Sequence, residues 1–534
     1  MPSDCISFQK TGYFSELICD YLAENKTLKP FYNRFPKLEN FKNQIDEKSK
    51  SFDSKTRSVL FKVLIEQYKN TDASEATINN IKILNQNNTF TVTTGHQLNL
   101  FTGPLYFLHK IVSTINLANE LKSEYSNYNF VPIYWMATED HDFEEINYFN
   151  FKGKKIRWNQ DVSGAVGELN TESLSAVFET FSKELGISKN ANTLRELFKN
   201  AYLKHDNLAN ATRYLANALF AEYGLVVVEA NDKGLKRLFI PQIEKELTEQ
   251  ISYRTVLNTN KQIEKLEGKN YPIQVNPREI NFFYLKNNLR ERIVFEDDLY
   301  KVLNTDIVWN KSELLEHVNT MPECFSPNVI LRPLYQETIL PNLCYIGGGG
   351  ELAYWFQLKA NFEANNVTFP IVLLRNSVLI KTKQQSDKLD KLNISNEEIF
   401  LKRDAFINGR VRAISNIDID FSKQKLHLKK QFEELYKLAK QTDKSFIGAI
   451  SAQEKKQING LENLEKRLLT AQKRKLKDQV ERMTELQNQL FPNQSLQERN
   501  TNFSELYLEF GTQLIPQLIK NLKPLKGAFT IISM

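Results

Sequence analysis

Apolar positions come in short runs that break into polar loops through most of the first 380 residues. Residues 89–92 and 131–136 are two such runs, leading into Thr93-Thr94-Gly95-His96-Gln97 and Thr138-Glu139-Asp140-His141-Asp142. Between them Leu105, Leu108, Val112, Ile115 and Leu121 recur at mostly helical spacing. Thr102-Gly103-Pro104 supplies a helix start with Pro at the first position. In a parallel sheet, strand–loop–helix–strand–loop brings both loops to one carboxyl edge, where such folds bind ligands. Residues 224–230 form a continuous apolar run, as expected of a buried parallel strand, and end in Asn231-Asp232, a third loop for that edge. Residues 343–346 lead into Gly347-Gly348-Gly349-Gly350-Glu351 and a helical stretch, and 369–375 read as another strand. Residues 281–286 and 290–296 predict a β-hairpin across Asn287-Asn288.

The flanks have a different pattern. Residues 1–80 read as helical, with one break at 30–36, and form a cap on the core. Residues 165–222 also read as helical. From 385 to 490 the chain is polar, with an apolar seam through Leu428, Phe432 and Leu435, then Leu461, Leu464 and Leu468, then Val480, Met483, Leu486 and Leu490. That is a coiled-coil pattern. The simplest account is an antiparallel hairpin whose arms are separated by 443–451, with Gly448 inside. Pro492 ends it, and 503–521 predict one last amphipathic helix.

Apolar residues make up 41% and charged residues 25%, ordinary for a globular protein, and the 19 Gly and 16 Pro leave little room for long linkers. No amino-terminal signal and no membrane-length apolar run is evident, so a cytoplasmic location without membrane attachment is expected. Cys5, Cys19, Cys324 and Cys344 are scattered without a C-x-x-C pair, which argues against a zinc knuckle or disulfide framework. Cys324 and Cys344 read as small buried apolar residues rather than nucleophiles. The net charge is +6, but 381–490 carry 24 basic and 16 acidic residues. Acidic residues are interleaved throughout, which favours a solvated helical arm over a nucleic-acid surface. An RNA-binding coiled-coil adaptor is the alternative from another functional class.

The chemistry concentrates in the loops. Only six histidines occur; His96 and His141 sit one in each loop, and His109 lies on the helix between them. His96 after a strand is placed to donate to a phosphate or developing negative charge, and Gly95 permits close backbone approach. Glu139, Asp140 and Asp142 surround His141, and adjacent carboxylates orient an imidazole as a general base. Consecutive residues cannot all point at one ion, so no metal is assigned. Gly347 to Gly350 would suit a backbone nest for phosphate. There is no P-loop and no G-x-G-x-x-G fingerprint.

Residues 94–106, the block 132–147 containing Glu139-Asp140-His141-Asp142, Ser326-Pro327-Asn328-Val329 with Arg332-Pro333, and Gly350-Glu351-Leu352-Ala353-Tyr354-Trp355 resemble the bacillithiol-synthesis cysteine ligase family. The matches run in order and cover most of the chain. The resemblance implies an α/β fold: a Rossmann-like parallel-sheet core distantly similar to class I aminoacyl-tRNA synthetases, helical connecting insertions, and a C-terminal α-helical coiled-coil domain used for homodimerisation. The expected division is a helical cap at 1–80, core at 81–164, connecting insertions with a core strand at 165–325, core again at 326–384, the coiled coil at 385–490, and a helix packing on the core at 491–534. It also implies addition of cysteine, through its carboxyl, to the amine of glucosaminyl malate, with ATP as the expected co-substrate. A nucleotidyltransferase or aminoacyl-adenylate-type enzyme is the enzymatic alternative. Where this family often has Gly-Pro-Gly-Glu, the chain has Gly348-Gly349-Gly350-Glu351. Lys381 and Lys383 are the nearest candidates for a synthetase-type lysine. The catalytic assignments are His96, Asp140, His141 and Asp142. Gln97, Asn99, Trp135, Glu139, Asp232, Glu351 and Tyr354 are assigned to substrate, and Gly95, Gly348 and Gly350 to phosphate or nucleotide.

Overall fold

The computed structural model describes residues 3–286, 288–442 and 444–534. Its centre is a five-stranded sheet made from the apolar runs: β1 (Thr89–His96), β2 (Asn129–Met136), β3 (Val226–Glu229), β4 (Asn342–Gly347) and β5 (Ile371–Leu374). The order across the sheet is β5-β4-β1-β2-β3, and every pairing is parallel. Strand order reverses between β1 and β4, which makes their carboxyl ends the topological switch point of a doubly wound sheet. Helix α1 (Tyr106–Glu124) follows β1, and the short helix α2 (Gly349–Trp355) follows β4.

Apolar burial fixes this arrangement. All eight residues of β1 are buried, as a strand covered on both faces requires. Phe90 and Val92 of β1 pack with Leu117 and Leu121 of α1, Leu343 and Ile346 of β4, and Phe41 and Ile45 of helix Asn40–Ser51.

The predicted hairpin forms from Phe282–Lys286 and Leu289–Glu296. Of its turn, Asn287 lies outside the described residues. The hairpin joins Leu299–Val302, Val308–Trp309 and Phe325–Pro327 in a second, antiparallel sheet.

Several expectations are corrected. The amino-terminal segment is not wholly helical: Ser3–Ile6 is a strand paired antiparallel with Phe529–Ser533, and Val378–Lys381 completes that small sheet. Such long-range pairing has no local signal. The last helix is two, Phe503–Phe510 and Leu514–Asn521, because Gly511 takes φ +55° between them.

Residues up to 380 together with 496–534 form one compact unit, and 381–495 form a second. Within the second, α3 (Ser422–Ala439), α4 (Lys444–Lys475) and α5 (Lys477–Leu490) carry the seam. Helices α3 and α4 run antiparallel: Tyr436 bonds Glu454 at 3.0 Å, Lys425 pairs with Glu465 at 2.8 Å, and Phe432, Ala439 and Ile450 form their buried contact. The reversal is shorter than expected, because α4 runs straight through Gly448; Asp443 lies outside the described residues. One glycine in a long helix costs only about 1 kcal/mol, too little to break it. No described helix is long and apolar enough to cross a membrane.

Candidate active site

A cavity of about 850 Å³ opens at the carboxyl edge of the central sheet. Strand ends build its floor. β1 contributes Gly95 and His96, β2 contributes Trp135 and Met136 and then Glu139 and Asp140, and the β4–α2 turn contributes Gly348 to Glu351. Both loops singled out by sequence therefore meet on one edge, because β1 and β2 are parallel neighbours whose last residues, His96 and Met136, are in register.

His96 is buried, with its ring edge-on to Tyr106 and tilted against Phe107. Burial, reinforced by the Lys110 and Arg375 charges, pushes its pKa well below the ordinary imidazole value, so the ring is neutral. Its Nε2 has no hydrogen-bond partner among the described residues. A neutral imidazole still has one N–H to donate, which suits a donor to developing charge rather than a cation.

Gly95 lies where backbone and side chains converge. A Cβ there would sit 3.1 Å from the Tyr345 hydroxyl, and the Gly95 carbonyl accepts from Lys110 Nζ at 2.7 Å. Lys110 also pairs with Glu351 at 2.5 Å. Glu351 accepts from the Tyr345 hydroxyl at 2.6 Å and from the Gly348 N–H at 2.8 Å. Burial would raise the Glu351 pKa, but Lys110, the Gly348 amide and Tyr345 hold it below the usual carboxylate range. The expected glycine nest is thus occupied at its Gly348 amide. That amide is capped by the protein's own carboxylate, three residues on, in the position a phosphate oxygen would take.

The carboxylates of the second loop are tied to the first. Gln97 Nε2 donates to Asp140 at 3.0 Å and to Glu145 at 2.8 Å, and Asn99 donates to the Glu145 carbonyl at 3.2 Å. Glu139 pairs with buried Lys236 at 2.5 Å and accepts from the Ser326 hydroxyl at 3.0 Å.

His141 is placed differently from its sequence assignment. It does not line the cavity, its side chain is half exposed, and its Nδ1 faces Arg290 Nη1 at 2.5 Å. Asp140 Oδ1 is 3.8 Å from that nitrogen and accepts the His141 backbone N–H instead. With Nδ1 accepting from Arg290, the ring's proton is on Nε2, and no lone pair is left for a substrate. Asp142 is exposed and leads a four-residue helix. Asp232 is outside the cavity, where its side chain caps the helix Lys233–Arg237 through the Leu235 N–H. Trp135, Tyr354 and Gly350 line the cavity.

Five cations that the local pattern does not single out complete the lining. Lys110, Arg290, Arg332, Arg375 and Arg499 all line the cavity. Arg332 is held by Gln336 at 3.0 Å and lies over the Trp135 and Tyr345 rings. Arg332 stood in one of the matched motifs, and Lys110 sits on an apolar helix face where a charge is unusual; both were detectable. Arg499 comes after the whole helical arm in sequence, and nothing local marks it. Charge of both signs lies along the edge, with Arg290 beside Asp140 and Arg332 over the Trp135 ring of β2. Asp140 and Glu145 gather near the end of β2, while Arg375 follows β5 at the far side of β4 and β1, with Arg499 one residue from its partner Glu498. Among the described residues no group of three or more His, Cys, Asp or Glu is arranged to hold a metal ion.

Relatives match this chain from end to end. A relative from Flavobacterium johnsoniae, named "Putative cysteine ligase BshC", is 59% identical over 534 residues, covering 100% of both chains. Relatives with that name from Cytophaga hutchinsonii (38% identical, 97% of this chain and 96% of theirs) and Bacillus mycoides (28%, 97% and 98%) extend the match. A solved structure described as an arginyl-tRNA synthetase from Campylobacter jejuni overlaps 83% of this chain and 97% of its own at 11% identity. Its TM-score of 0.18 is too slight to bear on the fold. The family model for the bacillithiol biosynthesis BshC N-terminal Rossmann-like domain matches residues 1–376, and that for the BshC C-terminal coiled-coil domain matches 378–534. The chain therefore belongs to the bacillithiol biosynthesis BshC family.

Proposed function

We propose that the protein is a ligase that joins the carboxyl of cysteine to the amine of glucosaminyl malate, the amide-forming step that yields bacillithiol. The observation that carries this reading is one cavity lined by both carboxylates and arginines. An amino sugar linked to a dicarboxylic acid has an amine at one end and two carboxylates at the other. Asp140 and Glu145 are suited to the amine, and Arg332, Arg375 and Arg499 to the carboxylates.

A carboxylate must be activated before an amine displaces its oxygen. ATP is the proposed co-substrate, through an acyl-adenylate or an acyl-phosphate. The amine attacks the acyl carbon, the phosphate-bearing oxygen leaves with its electron pair, and the amine's surplus proton passes to a base. Asp140 suits that role better than His141, since it faces the cavity and His141 does not. Neutral His96 is suited to donate to the oxygen that gains charge. Phosphate contact with the Gly348 amide requires Glu351 to release it.

The arm is proposed to form a homodimer. Leu426, Leu435, Leu438, Phe446 and Leu464 stay 41% to 57% exposed although the hairpin buries its own Phe432 and Ile450. A second copy of the arm would cover exposed apolar side chains of this kind.

Substrate analogues test the reading. Glucosamine lacks the carboxylates, and N-acetylglucosaminyl malate lacks the free amine. Glucosaminyl malate should be consumed with ATP and cysteine, glucosamine at least about 100-fold less efficiently, and the acetylated compound not at all. Equal use of glucosamine would contradict the role given to the arginines.

A further inference from the structure

One buried carboxylate lies behind the cavity wall, and nothing in the proposed reaction uses it. Glu498 is fully buried. Its Oε1 accepts from Arg375 Nη2 at 2.8 Å, and its Oε2 accepts from the Val378 N–H at 3.0 Å and meets His109 Nδ1 at 3.1 Å. Three chain segments therefore converge on one side chain: the turn after β5, helix α1, and the segment that comes after the arm. Gln497 beside it bonds both the N–H and the C=O of Ile380, at 3.0 Å each. The segment is thus fastened at two successive residues to the turn after β5 and the strand Val378–Lys381 that follows it, and the next two, Arg499 and Asn500, line the cavity.

Arg375 has one side toward Glu498 and one toward the cavity. Nη1 donates to the Asn376 carbonyl at 3.0 Å and to Ser377 Oγ at 3.1 Å, Nη2 is held by Glu498, and the guanidinium lies 5.3 Å from the Tyr106 ring centroid. Nε alone has no partner among the described residues, and it lies 3.9 Å from where a Gly348 Cβ would be. A guanidinium held at both terminal nitrogens points its Nε–H in a fixed direction.

We propose that Glu498 is a positioning residue. By holding Arg375 from behind, with His109 as its second donor, it aims the Arg375 Nε–H into the cavity as a contact for a substrate carboxylate, and it sets Arg499 beside it. Burial would raise the Glu498 pKa, yet Arg375 and the His109 hydrogen bond hold it far below the carboxylate range, so it stays ionised. Burial pushes His109 below its ordinary value, so it donates as a neutral ring. The role of Arg375 in binding rests on the ligase reading above; the clamp itself does not.

The test uses the full-length protein with Glu498→Gln, His109→Leu and Arg375→Lys. A glutamine can accept at one end only, so it cannot serve both Arg375 and the Val378 and His109 donors. A lysine cannot reach Glu498 and also present a directed N–H. For Glu498→Gln and Arg375→Lys, KM for glucosaminyl malate should rise at least about tenfold while KM for cysteine stays within about twofold. His109→Leu removes one donor and keeps the charge pair, so it should give a smaller rise in the same KM. L-malate binding, read by calorimetry and needing no turnover, should weaken in the same order. Wild-type KM values in a folded Glu498→Gln protein overturn the inference. If that variant does not fold, unchanged KM in Arg375→Lys overturns it. Failure of the ligase reading looks different: wild-type protein makes no product, and malate binding then decides alone. Equal malate affinity in wild type and variants, or no malate binding by wild type, overturns the positioning role.

Discussion

Lys110 and Glu351 meet at 2.5 Å across the switch point, one from the helix after β1 and the other from the helix after β4. Lys110 is nearly buried and also holds the Gly95 carbonyl, so the pair locks the two strand ends that floor the cavity. Removing one partner leaves a buried charge unpaired. Lys110→Met and Glu351→Gln should each destabilise the protein by about 3–5 kcal/mol, and the double variant by clearly less than their sum. Denaturant unfolding of the four proteins checks this; additive losses would mean that the two side chains are not coupled.

The placement of Asp140 and His141 makes a sharp kinetic prediction. Asp140→Asn should lower kcat by about 10²–10⁴-fold, the usual contribution of a general base. His141→Ala should cost about tenfold or less, through loss of the Arg290 contact, since its Nδ1 accepts from Arg290 outside the cavity. Steady-state turnover with circular dichroism as the folding control checks it. The reverse ranking would return the base to His141.

His96 and His109 are both buried with lowered pKa, held neutral first of all by burial. In the unfolded chain each regains a pKa of about 6.5. A lowered folded pKa means that the unfolded state binds more protons over that window. Stability from these groups is therefore full above about pH 6.5 and is lost as pH falls below it, by up to about 1.4 kcal/mol per pH unit for each ring. Thermal melts from pH 7.5 to 5 should show this slope, and His109→Asn should reduce it. A melting temperature independent of pH across that range would contradict the burial of neutral imidazoles.

Much of the fold was written in local pattern. Parallel strands buried on both faces read as continuous apolar runs, so 89–92, 131–136 and 224–230 stood out, and with them the loops that carry His96 and Asp140. What was not legible depends on partners distant in the chain. Ser3–Ile6 is a strand because Phe529–Ser533 lies beside it. Arg375 and Arg499 reach the cavity because Glu498, beyond the arm, returns to the sheet edge. The direction of His141 was set by Arg290 on a hairpin 149 residues away. Asp232 looked like a ligand-facing residue because a polar loop at a strand end is also where a helix cap belongs.

The exposed leucines of the arm predict its assembly. Leu438→Glu with Leu464→Glu should convert a dimer to a monomer without unfolding the hairpin, whose Phe432–Ile450 contact is untouched. Light scattering on the double variant and on wild type decides it. A variant that remains dimeric places the interface elsewhere.

The most direct measurement is of the product. The purified protein is incubated with cysteine, glucosaminyl malate and ATP, and the mixture is analysed by mass spectrometry. The mass of bacillithiol is expected, formed with loss of one water between the two substrates, and none when ATP, cysteine or glucosaminyl malate is left out. No bacillithiol from the complete mixture, with a folded protein and intact substrates, would contradict the ligase reading.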